Sequence, residues 1–494
     1  MQFRIEVVAV AEDGTECRQG LATLTRSESR LETVGLTLAE GKQVLQQLQQ
    51  TVIERQVGTY LDQQRACPHC SKQRRLKQAA PAPFRTLFGL VEVHNPRWRQ
   101  CTCQPQTTKT LRPLAALLPE RTSPELLYLE TKWAALAAYG VTTELLHEVL
   151  PIDQKHSVST VRNHTLRAAK RKEQMLGDEQ AIYIEGAPAE LSRLPIPDGP
   201  LTVGLDGGIV RARRGTNGDQ SGNLFEVIAG KSILSFRRND PEGTASSSKC
   251  FALVRSVDKK PKRRLFELLQ AQGMQANQRV SFFSDGGDTV RQLPALLHPA
   301  AEHILDWFHC TMRITVLQQC ARGLEQQWSA HVAHDPEEES LERRLESVKH
   351  YLWHGNSGKA LEQLRWIGDD LDGWDSDQEG EHKLQVGSEG AARMLKYVRE
   401  LETYISNNAG YIVNYGERYR NGERISTGFV ESTIKGVISK RMVKKQQMQW
   451  TPKGAHLLLQ VRTEVLNEDW EATFRTWYPQ FRPVASAEEI RPAA

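Results

Sequence analysis

The sequence predicts a multidomain α/β protein, and three observations carry that expectation. Its 494 residues exceed what one hydrophobic core organises at roughly 100–200 residues per domain. From Leu201 onward, short alternating apolar runs follow one another in the order β-β-β-α-β-α-β, whereas 124–173 and 310–420 repeat at helical spacing. The change of regime falls at the Pro/Gly/Ala-rich stretch GAPAELSRLPIPDGP (186–200), which reads as a linker. With 25% charged and 39% hydrophobic residues, a disordered chain is excluded.

Residues 1–64 open with a short β element (Phe3 to Val10, then Leu21 to Thr25) and continue in a helix from Leu38 to about Leu61. Leu45, Leu48, Val52 and Val57 recur at roughly helical spacing between Gln-rich positions, which marks a packing or pairing helix and a candidate oligomer interface. The first apolar stretch is too soon broken by acids for a signal peptide, and no apolar run approaches the ~18 residues of a membrane span. A cytoplasmic chain with no membrane partner is expected.

Residues 65–113 hold ten Lys/Arg against the single acid Glu92, a net of +9, while 335–389 hold fifteen Asp/Glu against six Lys/Arg, a net of −9. The near-neutral total of +4 therefore conceals one polyanion-binding region and one acidic region. Four of the eight cysteines fall in the basic segment, as Cys67-x2-Cys70 and Cys101-x-Cys103. Two such knuckles suit one tetrahedral Zn²⁺ in a zinc ribbon, with His69 as an alternative ligand because C-x-C is tighter than the usual spacing. The ribbon would hold Arg74, Arg75, Lys77, Arg85, Arg97 and Arg99 against DNA phosphates; a merely solvated basic face is the competing reading.

Residues 114–185 read as an all-α helix-turn-helix domain, with helices near 124–139, 142–150 and 157–173 and Ser123-Pro124-Glu125 as a start signal. In the last helix Ser159, Thr160, Arg162, Asn163 and His164 are base-reading types, and Arg167, Lys170 and Arg171 suit phosphates; a plain three-helix bundle is the alternative.

Beyond the linker, Asp206 is expected to end one strand and Asp285 another, each followed by a Gly pair. Such glycines would let a phosphate backbone approach and leave the carboxylates unshielded. Neighbouring carboxylates of this kind can share Mg²⁺, with Mn²⁺ as substitute, and two ions about 3.5–4 Å apart support in-line phosphoryl displacement. Glu431 is the third acid chosen, at the head of a basic helical run with Lys435, Lys440, Arg441, Lys444 and Lys445 as phosphate contacts. Asp219 and Asp288 are rivals without a strand-end position. Asp306 and His309 lie three apart where a strand meets a helix, and the residues alone leave a buried hydrogen-bonded pair open beside a supporting role at the metal site.

Together GLDGG (204–208), FSDGGD (283–288), LDWFH (305–309), STGFVES (426–432) and KRMVKKQQMQWTPKGAHLLLQVR (440–462), with CPHC, RTLFG (85–89), NPRW (95–98) and CTC upstream, resemble the DDE transposases of bacterial insertion sequences. The similarity is to the Kra-type group, related to Mutator-like transposases, and spans about residues 36 to 465. It implies a ribonuclease-H-like catalytic domain, with a first part at 201–321, a helical insertion at 322–422 and a closing helical part at 423–482; the chain itself reads as ending in a mobile tail, 483–494. It further implies that Asp206, Asp285 and Glu431 form the metal-binding triad and that Asp306 and His309 match the Asp-x-x-His signature. The expected partners are terminal inverted repeats, target DNA and at least a second copy of the chain. The alternative from another class is a non-catalytic DNA-binding regulator descended from such an enzyme; a two-carboxylate sugar hydrolase, independent of metal, is a further rival.

Overall fold

In a computed structural model, the structure describes residues 1–11, 13–27, 31–103, 109–184, 187–195, 201–213, 224–233, 248–287, 301–331, 340–377, 385–443 and 449–483. The described residues are mixed α/β with three sheets, and the chain divides into two compact units, Met1–Lys172 with Glu468–Ala494 and Glu173–Asn467. In this division the segment from Glu468 groups with the N-terminal unit.

In the first unit, β1 (Gln2–Val10) and β2 (Glu16–Thr25) pair antiparallel as a two-stranded sheet. Helix α1 (Leu38–Arg65) begins at a Thr37/Glu40 capping box, with both reciprocal hydrogen bonds present. Its buried residues Ile53, Val57 and Leu61 pack on Ala82, Val91, Val93 and Trp98 of the antiparallel strands β3 (Leu76–Thr86) and β4 (Gly89–Arg99). The second half of α1 thus spends its apolar face on its own sheet, while Leu45 and Val52 stay exposed. A short β5 (Thr110–Leu111) adds to the far edge of β4, and one turn of helix, α2 (Leu114–Leu117), follows.

Helices α3 (Pro124–Leu136), α4 (Tyr139–Val149) and α5 (Val158–Met175) close around the buried carboxylate Glu130. Its oxygens lie 3.0 Å from His156 Nε2 and 2.6 Å from His164 Nδ1. Burial raises the Glu130 carboxyl, but the two imidazoles outweigh burial and hold it below its ordinary value.

The second unit contains a short helix, α6 (Pro188–Leu191), and a five-stranded sheet in the order β10-β9-β6-β7-β8. Strands β6 (Leu201–Arg211), β7 (Leu224–Ile233) and β8 (Ser248–Val254) run antiparallel; β9 (Val280–Ser284) and β10 (Ala301–Leu305) continue parallel to β6. One face is apolar, with Leu201, Val203 and Leu205 packed on Leu265 and Leu269 of α7 (Pro261–Ala271). The helix expected between β9 and β10 lies largely outside the described residues.

After β10 the chain forms α8 (Trp307–His331), α9 (Leu341–Trp353), α10 (Ser357–Asp377) and α11 (Gln385–Asn408) around a core of their own. Leu341, Leu345, Val348 and Leu352 line it at helical spacing, as the sequence predicts. Then come α12 (Tyr415–Arg420), α13 (Gly428–Ile434), a π-helix (Lys435–Val443) and α14 (Pro452–Leu466). The last described helix, α15 (Trp470–Trp477), belongs to the first unit, where Trp470 Nε1 donates to Thr131 Oγ1 at 3.0 Å.

Candidate active site

Three aspartates fall in line across the parallel half of the sheet. Strands β6 and β9 pair as far as Gly204↔Phe283, and β9 and β10 as far as Ser284↔Leu305. Carried on in the same register, Asp206 stands opposite Asp285 and Asp285 opposite Asp306, on strands spaced about 4.8 Å apart. The Asp306 amide still donates to the Ser284 carbonyl at 2.9 Å, so the ladder persists to this level.

Asp206 lies inside β6 rather than at its end, because β6 runs on to Arg211 against β7. What ends near Asp206 is the pairing with β9. Burial raises its carboxyl; the Gly207 amide at 2.7 Å and His309 oppose this, and the nearby Asp285 and Asp306 charges add to the rise. Asp285 follows β9 directly and is half-buried. Its backbone carbonyl accepts from Tyr404 Oη at 2.9 Å, and Gly286 turns with φ +80° where a side chain would meet Asn408 and Leu305.

Of the glycines around Asp206, Gly204 and Gly208 serve packing, whereas a Cβ on Gly207 would meet only Glu226, at 3.4 Å. A Cβ on Gly204 would come within 2.1 Å of Val430 and 2.7 Å of Phe429, and one on Gly208 within 2.8 Å of Ile438. These two positions flank Asp206 on one face of β6, and they seat α13 and the π-helix on that face. Glu431 rides in the first turn of α13 and is exposed.

Asp306 is fully buried and accepts four hydrogen bonds. The Phe308 amide donates at 3.0 Å, His309 Nδ1 lies at 2.7 Å, the Thr427 amide donates at 3.0 Å, and the Thr427 hydroxyl donates as well. Thr427 is the residue just before α13, so this one carboxylate ties the His309 ring to the start of the helix that bears Glu431. Asp306 raises the His309 imidazole, overcoming burial, and Asp206 and Asp285 raise it further. The expected strand over 303–309 therefore stops at Leu305, and His309 belongs to the first turn of α8.

The Asp206, Asp285 and Glu431 oxygens are not drawn within 4.8 Å of one another as a set. An all-oxygen donor set in which burial and like charge raise Asp206 fits a hard divalent cation. Glu173, Asp258 and His456 do reach that spacing, but the Arg264 guanidinium already sits among them, 2.9 Å from Glu173 and from Asp258. A second cation there would meet a fixed positive charge.

Cys67, Cys70, Cys101 and Cys103 form the other compact group, with Sγ atoms 3.5 Å apart for Cys67 and Cys103 and 3.3 Å for Cys70 and Cys101. A tetrahedral ion at ~2.3 Å from each sulfur asks for S–S edges of about 3.8 Å. The amides of His69 and Cys70 draw the Cys67 thiol down to about 6, whereas Cys101, Cys67 and Cys70 hold Cys103 up at about 12. Four sulfurs so close could share one cation, which would hold all four as thiolates. His69 is exposed and not among the four.

The residues expected on DNA divide into two kinds. Arg75, Arg162, Asn163, Arg167 and Lys435 are exposed, and Arg162, Asn163 and Arg167 share one face of α5 with Ser159 and Lys170. Four others expected on DNA turn inward. Arg74 bonds the Gln64 and Ala66 carbonyls at the end of α1, and Arg441 is buried with its guanidinium 5.2 Å from the Trp450 ring. Arg171 stacks on Trp477 and bonds Glu120 and Tyr478, and His164 is held by Glu130. Arg97 is half-buried and donates to Thr110 across β4 and β5 at 3.0 Å. Lys444, Lys445, Asp219, Asp288 and the tail from 484 lie outside the described residues.

Sequence reasoning missed Thr427, Tyr404 and Asn408. Thr427 had a signal in its place just before a helix start; Tyr404 and Asn408 lie more than a hundred residues from Asp285 and had none. No protein-family model matches the chain, and no curated protein matches it. Among the described residues, no helix is long and apolar enough to cross a membrane.

Proposed function

We propose that this chain is a DNA transposase with a ribonuclease-H-like catalytic domain, one that binds terminal inverted repeats, cleaves DNA at the element ends and joins the 3′-hydroxyls to target DNA. The observation that carries the reading is the register line Asp206–Asp285–Asp306, with the Glu431 helix docked on the same face of β6 through Gly204 and Gly208. Three antiparallel strands continued by two parallel ones, with a helical segment before α13, support the fold assignment.

Asp206, Asp285 and Glu431 would hold two Mg²⁺, with Mn²⁺ as substitute, and bound ions of this kind activate the attacking hydroxyl and stabilise the leaving oxygen. Asp306 fixes the His309 ring through Nδ1, which leaves Nε2 to meet a phosphate oxygen. Thr427, held by Asp306, sets where Glu431 stands. The four cysteines would hold a structural Zn²⁺, keeping Arg75 and Arg97 on a folded ribbon. Arg162, Asn163 and Arg167 would read the repeats, and Lys435 would contact phosphates. At least a dimer is expected, because two ends are processed together.

The test is cleavage and strand transfer on DNA carrying the repeats that flank the gene, comparing the parent with Asp285→Ala. Loss of an ion ligand that supplies several kcal/mol at the transition state lowers the rate by more than about a hundredfold. Equal rates in the two proteins would sink the proposed site. Binding of the repeats without any metal-dependent cleavage by the parent would favour the non-catalytic regulator.

A further inference from the structure

The β1–β2 hairpin buries a single large apolar side chain, Leu21 of β2. Every residue of β1 is exposed or half-exposed, and Phe3, Val8 and Val10 are 47%, 43% and 65% exposed. Among the described residues β1 pairs with β2 alone, so its outer edge has no strand partner. A two-stranded hairpin that buries so little is marginal in water, and a nine-residue open edge invites another strand. The irregularity in the pairing skips Leu21 on β2, which leaves β1 itself regular. Arg26 anchors the hairpin to α1 by bonding both Glu40 oxygens, at 2.7 and 2.8 Å, so the edge is presented from a fixed base.

We infer that the outer edge of β1 pairs antiparallel with β1 of a second copy, centred on Ile5, to make a four-stranded sheet across a two-fold axis. The sequence of the strand is self-complementary in this register and in no neighbouring one that keeps the same faces together. Centred on Ile5, Arg4 stands opposite Glu6 of the partner subunit, twice by symmetry, while Phe3 meets Val7 of the partner subunit on the other face. Centring on Arg4 sets that charge against its own copy, and centring on Glu6 does the same for the acid. Within one chain Arg4 and Glu6 only graze each other at 3.8 Å, well exposed, which leaves both charges to seek a better partner. DNA does not suit the edge: Gln2–Thr25 carries Arg4 and Arg18 against Glu6, Glu12, Asp13 and Glu16, an excess of acid.

Association is measured without DNA or metal, so its outcome is independent of the catalytic reading. Light scattering and sedimentation of the full chain should show a concentration-dependent dimer. Arg4→Glu and Glu6→Arg should each weaken it by roughly two- to thirtyfold, since each sets two like-charge pairs opposite one another. Mixing the two single variants should restore the dimer, because a strand with acids at both positions then faces a strand with arginines at both; misfolding of a variant could not yield that rescue. A parent that stays monomeric up to its solubility limit, single variants that dimerise like the parent, or a mixture no tighter than its components would each overturn the interface.

Discussion

Glu173 is held between opposing effects: burial raises its carboxyl, and the hydrogen bond to His456 together with the Arg264 charge brings it down to about 2 from an ordinary 4.5. The folded carboxyl then gives up its proton more readily than the unfolded one. Its stabilisation is present in full above pH 4.5 and is lost as pH falls from there toward 2. The contribution is at most about 3 kcal/mol. Urea titrations between pH 6 and 3 should show stability falling with acid, and Glu173→Gln should flatten that part of the slope. The same scale shows where sequence reading stops. Arg75 and Arg162 are exposed as expected, but Arg74, one residue away from Arg75, folds back onto the end of α1. Charge is legible in a sequence, whereas the direction of a side chain depends on carbonyls and rings that the chain brings near only once folded. Arg441 illustrates this too, because its fate is decided by Trp450.

Among the elements, α13 is the one whose seat decides the candidate site. Gly204→Ala puts a methyl into Val430 and Phe429, and α13 must lift from β6, carrying Glu431 with it. Overpacking of this kind costs about 1–3 kcal/mol. Cleavage by Gly204→Ala should fall more than tenfold, a loss of at least about 1.4 kcal/mol in transition-state stabilisation, while repeat binding in a gel-shift titration stays at the parent level. If cleavage matches the parent, the glycine is not what seats the helix. The run that follows α13 is a π-helix, and Arg462 of α14 fits its widened turn by donating Nε to the Val437 carbonyl at 2.7 Å. The positions of the strands along the chain, the helical runs and the cysteine spacing were readable because each rests on local periodicity or spacing. The π-helix and the glycine seats were not, since both follow from what packs across the sheet.

For the whole molecule the net charge of +4 conceals blocks of +9 and −9, and the inward turn of several arginines reduces the cations that can reach a polyanion. Each phosphate contact contributes about 0.9 to the slope of log affinity against log salt. Neutralising Arg75, Arg167 or Lys435 singly should lower the slope for repeat binding by about 1. Replacing Arg74 or Arg441 should leave the slope unchanged and lower the melting temperature instead. A slope that falls equally for all five would mean that burial does not distinguish them.

The four donors on Asp306 also order the assembly of the centre in time. Two of them belong to Thr427, 121 residues further along, beyond all four helices of the bundle. Closing so long a loop comes late in folding. A nascent chain that has already exposed Asp206, Asp285 and Asp306 still has an open acceptor where Thr427 will dock, and lacks Glu431 altogether. The candidate site therefore stays incomplete until the polypeptide beyond the bundle has emerged and folded back, and a chain whose synthesis stops short of Thr427 would carry the three aspartates without Glu431.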